Sequence, residues 1–189
     1  MTGIFSAFGL SASAGLNAYI PLLVVSLLAK FTGLIQLNEP WDALTSWWTI
    51  GVLIFLGLIE FFADKIPVVD HVNDVIQTLV RPTAGAILFA ASAQVVTDVH
   101  PVFSLILGLL TAGAVHATKS LAVRPAVTAV SGGTADAPVS MVEDVIAAGI
   151  SILSVLIPVV VACILIIVTS LIVMRIYRKN KDKQNTAAQ

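Results

Sequence analysis

Apolar residues run in long blocks broken by short polar stretches, and the block lengths set the expected elements. The first block runs from about Ile4 to Ala29 and a second from Ile50 to Ala63. After Pro67 the pattern changes. Val68, Val69, Val72, Val75, Ile76, Leu79 and Val80 alternate with Asp70, His71, Asn73, Asp74, Gln77 and Thr78. That is a helical period with one wet face, predicting an amphipathic helix along an interface or over a cavity. Arg81-Pro82 then opens an alanine-rich span over about Thr83–Val96. Asp98-Val-His100-Pro101 predicts a short turn, Val102–Thr118 a further span, and Lys119–Ala137 a loop carrying Arg124-Pro125 and Ser131-Gly-Gly.

The last apolar region, Val139 to Tyr177, would be roughly 58 Å long as one helix, nearly twice the hydrocarbon thickness of a bilayer. It must either fold back near Pro158 or lie partly outside the membrane. Folding back gives six crossings; the other choice gives five.

Composition agrees with lipid as the solvent. The 189 residues are 58% hydrophobic and 11% charged, against about 25% charged in an ordinary soluble domain. The expectation is therefore an all-α transmembrane bundle over residues 1–178, with a basic cytoplasmic tail over 179–189. Met1–Ala29 has small residues spaced like a signal-peptide cleavage site. No positive charge precedes the apolar stretch, and the stretch continues well past them, so a retained first span is expected. The chain is expected in the cell membrane as a multi-pass protein.

Charge layout suggests orientation. Arg175, Arg178, Lys179, Lys181 and Lys183 crowd the C-terminus, while Lys65, Arg81, Lys119 and Arg124 follow the second and fourth spans. Six crossings put these basic groups on one side, with both termini cytoplasmic. Trp41, Trp47 and Trp48 suit a membrane–water boundary. Six spans could form two inverted halves, with Ser13-Ala-Gly15 answered by Thr111-Ala-Gly113. Under this topology both motifs fall toward the same side, which inversion does not predict.

Within the first span, Gly15 and Pro21 weaken the helix around Asn17 and Tyr19. A tightly packed kink and an interrupted helix lining a polar cavity both fit, since irregular backbone survives at membrane depth only where protein or water covers it. Ionisable groups in apolar helices are expensive and therefore functional candidates. These are Glu60, Asp64, His116, Glu143 and Asp144. Residues 60–144 hold eight acids and four bases, so simple pairing cannot neutralise every acid. Structural ion pairs with Lys65, Arg81, Lys119 or Arg124, a proton- or cation-coupled cavity, and a hard-cation site using Glu60, Asp64, Glu143 and His116 all remain open. Asn17 and Tyr19 are the candidate contacts for a small solute or ion. Arg81 and Arg124 are candidates for lipid phosphates or plain topology anchors.

Other classes fall away. No phosphate loop, nucleophile elbow or dinucleotide glycine pattern is present. No cofactor and no nucleic-acid partner are expected, and an enzyme ranks behind the other readings. The single Cys163 excludes an intrachain disulfide. A homo-oligomer is left open beside the bilayer itself as partner.

Ser13-Ala-Gly-Leu-Asn-Ala-Tyr-Ile-Pro21, Asp64-Lys-Ile-Pro-Val-Val-Asp70, Arg81-Pro-Thr-Ala-Gly85 and Glu143-Asp144 together resemble a bacterial membrane family known as a domain of unknown function, number four-one-two-six. The resemblance covers most of the chain, leaving the basic tail outside. It implies a small multi-helix membrane protein and brings no substrate, reaction or catalytic residue. The expected function is a secondary transporter or permease-like protein; a non-transporting scaffold or lipid-binding protein is the alternative.

Overall fold

The computed structural model describes residues 2–63, 67–93 and 99–187, and its regular elements are all helical. They are α1 (Thr2–Leu16), α2 (Tyr19–Phe31), a 3-10 turn (Trp41–Thr45), α3 (Trp47–Ala63), α4 (Pro67–Ala93), α5 (Pro101–Thr118), a π-helical turn (Lys119–Val123), α6 (Arg124–Ser131), α7 (Asp136–Leu156) and α8 (Pro158–Ala187). Three stretches are long and apolar enough to cross a membrane: Val75–Ala93, Pro101–Ser131 and Asp136–Leu156. Gly3–Leu16, Tyr19–Phe31, Trp47–Ala63 and Cys163–Arg175 are shorter apolar helices.

The first apolar block is two helices. α1 stops at Leu16, and α2 restarts at Tyr19. Helix starts leave their first N–H groups without partners. Here Asn17 Oδ1 accepts from the N–H groups of Tyr19 and Ile20, both at 3.0 Å. Asn17 thereby caps α2. Pro21 falls in the first turn of α2, where its missing N–H costs little.

α1 is the central helix, packed by α4, α5, α7 and α8. Its small residues permit that. Ser11 Oγ donates to the Gly85 carbonyl at 2.8 Å. Ser13 Oγ donates to the Ala147 carbonyl at 2.7 Å and lies 2.8 Å from Ser151 Oγ. A side chain at Gly15 would strike Ala112 and Val115, and one at Gly85 or Gly108 would strike the facing helix. Lipid tails give helices little hydrophobic reason to associate, so close backbone approach and hydroxyl bonds carry much of the cohesion. The pairs Ser13–Ala147 and Asn17–Asp144 run in opposite order along α1 and α7, so these helices are antiparallel. Gly85–Ala112 and Arg81–His116 set α4 antiparallel to α5 in the same way.

Two boundaries differ from the sequence expectation. The separate amphipathic helix is the first half of α4, which continues through Arg81-Pro82 without a break. Pro82 removes one backbone bond, but Gln77 and Arg81 point into the bundle, and tertiary packing outweighs the local breaker. The end of the third span at Val96 and the Asp98 turn residue lie outside the described residues. The loop expected over Lys119–Ala137 is mostly helical. The π turn absorbs the irregularity, and Pro125 enters at the start of α6, where a proline is tolerated. Gly132, at φ 62°, closes α6 in a left-handed cap.

The final region breaks where Pro158 directs it, with Ile157 outside both helices. The bend brings Ser154 and Val161 together against Gly9. Trp47 and Trp48 are exposed at the start of α3, and Lys30 Nζ sits 4.5 Å above the Trp47 ring.

Candidate functional site

The antiparallel registers decide where the polar groups gather. The C-terminal end of α1 meets the first halves of α4 and α7 and the C-terminal end of α5. Side chains distant in sequence therefore share one end of the bundle: Asn17, Glu60, Gln77, Arg81, His116, Lys119, Glu143 and Asp144.

Arg81 is 0% exposed and Glu60 1%. Arg81 Nη2 donates to Glu60 Oε1 at 2.9 Å. Arg81 Nη1 lies 3.2 Å from His116 Nδ1, and His116 Nε2 lies 3.3 Å from Thr78 Oγ1. Because a guanidinium only donates, that contact makes Nδ1 the acceptor and gives Nε2 the proton when the ring is neutral. Carboxylate, guanidinium, imidazole and hydroxyl thus form one chain across α3, α4 and α5. Arg81, expected at a lipid headgroup or as an anchor, has its charged end inside the protein.

Lys119 forms a second centre. Its Nζ is 2.7 Å from Glu143 Oε2 and donates to the Leu16 carbonyl at 3.1 Å. That carbonyl ends α1, so the ammonium supplies a donor where the broken helix has lost one. Lys119 also opens the π turn, a helical irregularity that often accompanies functional sites. Asn17 Nδ2 donates to Asp144 Oδ1 at 2.9 Å. The helix break is therefore tied to the π turn after α5 through Lys119 and to α7 through Asp144.

Tyr19 faces Gln77 and lies in the field of Glu60 and Arg81. Arg124 Nη2 donates to Ser140 Oγ at 2.9 Å, joining α6 to α7 away from the central pairs. Asp64 lies outside the described residues. Among the described residues no three His, Cys, Asp or Glu side chains converge as a metal would require.

A groove of about 490 Å³ opens between α2, α3 and α7. Leu23, Leu53 and Phe61 belong to its apolar wall, and Asn17, Tyr19 and Asp144 give it polar groups. It starts at the helix break, where Asn17 and Asp144 meet. Three sequence candidates line it directly, and Glu60 stands behind Tyr19.

Sequence reasoning named the acids and treated Lys119 and Arg81 as generic partners. It missed Thr78, Gln77, Ser140 and the Leu16 carbonyl as participants. The available signal was modest: Gln77 and Arg81 are four residues apart on one helical face. No sequence signal marks a particular backbone carbonyl.

A family model described as Domain of unknown function (DUF4126) matches residues 4–179. No curated protein and no solved structure matches the chain.

Proposed function

This chain belongs to the family of that domain of unknown function, and on that premise we propose that it is a small secondary transporter or permease-like membrane protein. One observation carries the reading: the broken α1–α2 junction is held by a buried lysine and an Asn17–Asp144 link and opens into a groove. Discontinuous helices near ionised groups are a recurrent way to build a solute site in a membrane, because free backbone dipoles bind the substrate and can change partners. Asn17, Tyr19 and Asp144 contact the solute. The Glu60–Arg81–His116 chain and the Lys119–Glu143 pair respond to a proton or cation. The chain crosses the cell membrane six times, and its basic tail keeps the C-terminus cytoplasmic.

A second reading has its own support. Glu60 and Glu143 already face cations, and much of the groove wall is apolar. A lipid-binding protein that transports nothing would be built in this way too.

Solid-supported membrane recordings on proteoliposomes separate the two. Pulses of protons, amino acids, organic cations and organic anions are expected to give a protein-dependent current for at least one probe. Asp144→Asn is expected to reduce that current about tenfold or more, the size of effect reached when an interaction of about 1.4 kcal/mol is lost. Silence toward every probe, from protein shown to be folded and inserted, sinks the transport reading.

A further inference from the structure

We propose that the solute path runs beside α7 between two mouths, the groove at Asn17 and a second crevice toward the opposite end of α1, and that one apolar cluster closes it between them. The inference rests on the transport reading and names the route the solute takes.

The second crevice has a volume of about 300 Å³ and lies beside the α7–α8 interruption. Ser6, Gln36 and Ser92 give it polar groups, and Leu10, Val155 and Pro158 belong to its apolar wall. The antiparallel packing of α1 and α7 separates the two openings. The groove takes Asn17 from the end of α1 and Met141, Asp144 and Val145 from the first half of α7. The crevice takes Gly3, Ser6 and Leu10 from α1 and Val155 and Leu156 from the end of α7. The two openings also lie toward opposite boundaries of the membrane. Gln36 follows α2 in the segment that leads to Trp41, Trp47 and Trp48, residues suited to a membrane–water interface. Lys119 and Arg124 bond to Glu143 and Ser140, next in sequence to Asp144 and Met141 of the groove, and basic residues favour the cytoplasmic side.

The barrier between them is thin. Val145 and Val155 are ten positions apart on α7, about 15 Å of helix, whereas the hydrocarbon layer is about 30 Å thick. The openings therefore enter from both ends and leave about half that depth closed. One apolar cluster closes it. Leu10, Ile35 and Val155 belong to the cluster and line the crevice. Tyr19, Leu23 and Leu53 belong to the same cluster and line the groove. Ala14 and Ala18 lie within it, fully buried. The closure is thus a contact between side chains of different helices, and parting the helices opens it. α1 is packed by α4, α5 and α7, whereas α2 rests mainly on α3 and α7. Rocking of one set of helices against another is a common way for such a path to open to each side in turn.

The test detects water at two positions of the full chain, in right-side-out and inside-out membrane vesicles, with a charged, membrane-impermeant methanethiosulfonate. The thiolate is the reacting form, and a thiol in apolar surroundings stays protonated. Cys163 of the parent chain is exposed on α8 and serves as the lipid-facing reference. In a Cys163→Ser background, Leu23→Cys is expected to react about tenfold or more faster than that reference, and only from the side of the basic tail. Val155→Cys is expected to react as fast, and only from the opposite side. Leu10→Ala thins the plug and is expected to make Leu23→Cys reactive from both sides. Val155→Ala, at a half-buried position, serves if Leu10→Ala fails to fold. Two thiols as slow as Cys163 overturn the proposal and assign both openings to lipid chains. Reaction of both thiols from one side overturns it as well, because the path then has a single mouth. Sidedness that survives both plug variants overturns the cluster as the barrier. Sided reactivity without a current from any solute removes the transport reading and leaves two water-filled mouths closed from each other. A solute current with both thiols unreactive does the reverse.

Discussion

The body and the C-terminal end of α1 solve opposite problems. Along its body the helix carries Ala7, Gly9, Ser11 and Ser13, and the neighbouring helices approach until hydroxyls reach backbone carbonyls. At its C-terminal end the backbone opens, and Lys119, just beyond α5, donates to the Leu16 carbonyl. The first region gains cohesion from small groups with few alternative arrangements. The second contains groups that can exchange protons, partners and rotamers. The same central helix therefore joins a close-packed body to an end surrounded by ionisable side chains.

The largest expected effect breaks the charged half. Arg81→Met removes the cation facing a fully buried carboxylate, and such losses cost about 3–5 kcal/mol. The double variant Arg81→Met, Glu60→Met should recover a large part of that, because two apolar side chains replace both charges. Unfolding in detergent followed by tryptophan fluorescence measures both. If the double variant is no more stable than the single one, the pair is not the source of the loss.

The next effect breaks the close-packed half. Gly108→Val places a side chain against the Gly85 carbonyl and the Phe89 Cβ, and overpacking of this kind costs about 1–3 kcal/mol. Thermal unfolding by circular dichroism should show the drop. A variant as stable as the parent would mean that α4 and α5 are further apart than described.

The smallest effect sharpens the contrast. Ser13→Ala loses a hydroxyl donating to Ala147, and interhelical bonds of this kind in membranes average about 0.6 kcal/mol. It should leave substrate-dependent currents unchanged, whereas Lys119→Met should alter them by releasing the Leu16 carbonyl and Glu143. Parallel recordings of the two variants decide whether function is confined to the charged end.

Much of the helical pattern was legible along the chain. The apolar blocks follow from local composition, which near Asn17 and Pro158 allowed a break without requiring one. The two small-residue motifs could be seen as well, but their relation could not. Gly15 packs directly against α5 at Ala112 and Val115, whereas Gly113 turns toward Pro82 of α4. The Arg81-Pro82 boundary misled because a proline signal is local, while the continuity of α4 comes from what Gln77 and Arg81 face in the folded bundle.

By itself the sequence determined the solvent this protein is built for, the helix periods and the residue types available for chemistry, since these depend on composition and on neighbours a few positions apart. Only the tertiary structure decided the partners. Arg81 meets Glu60 and His116, and Lys119 meets Glu143 and the end of α1, because antiparallel packing sets registers between distant segments. A carboxylate in an apolar stretch must find some partner; which one depends on geometry that no local pattern encodes.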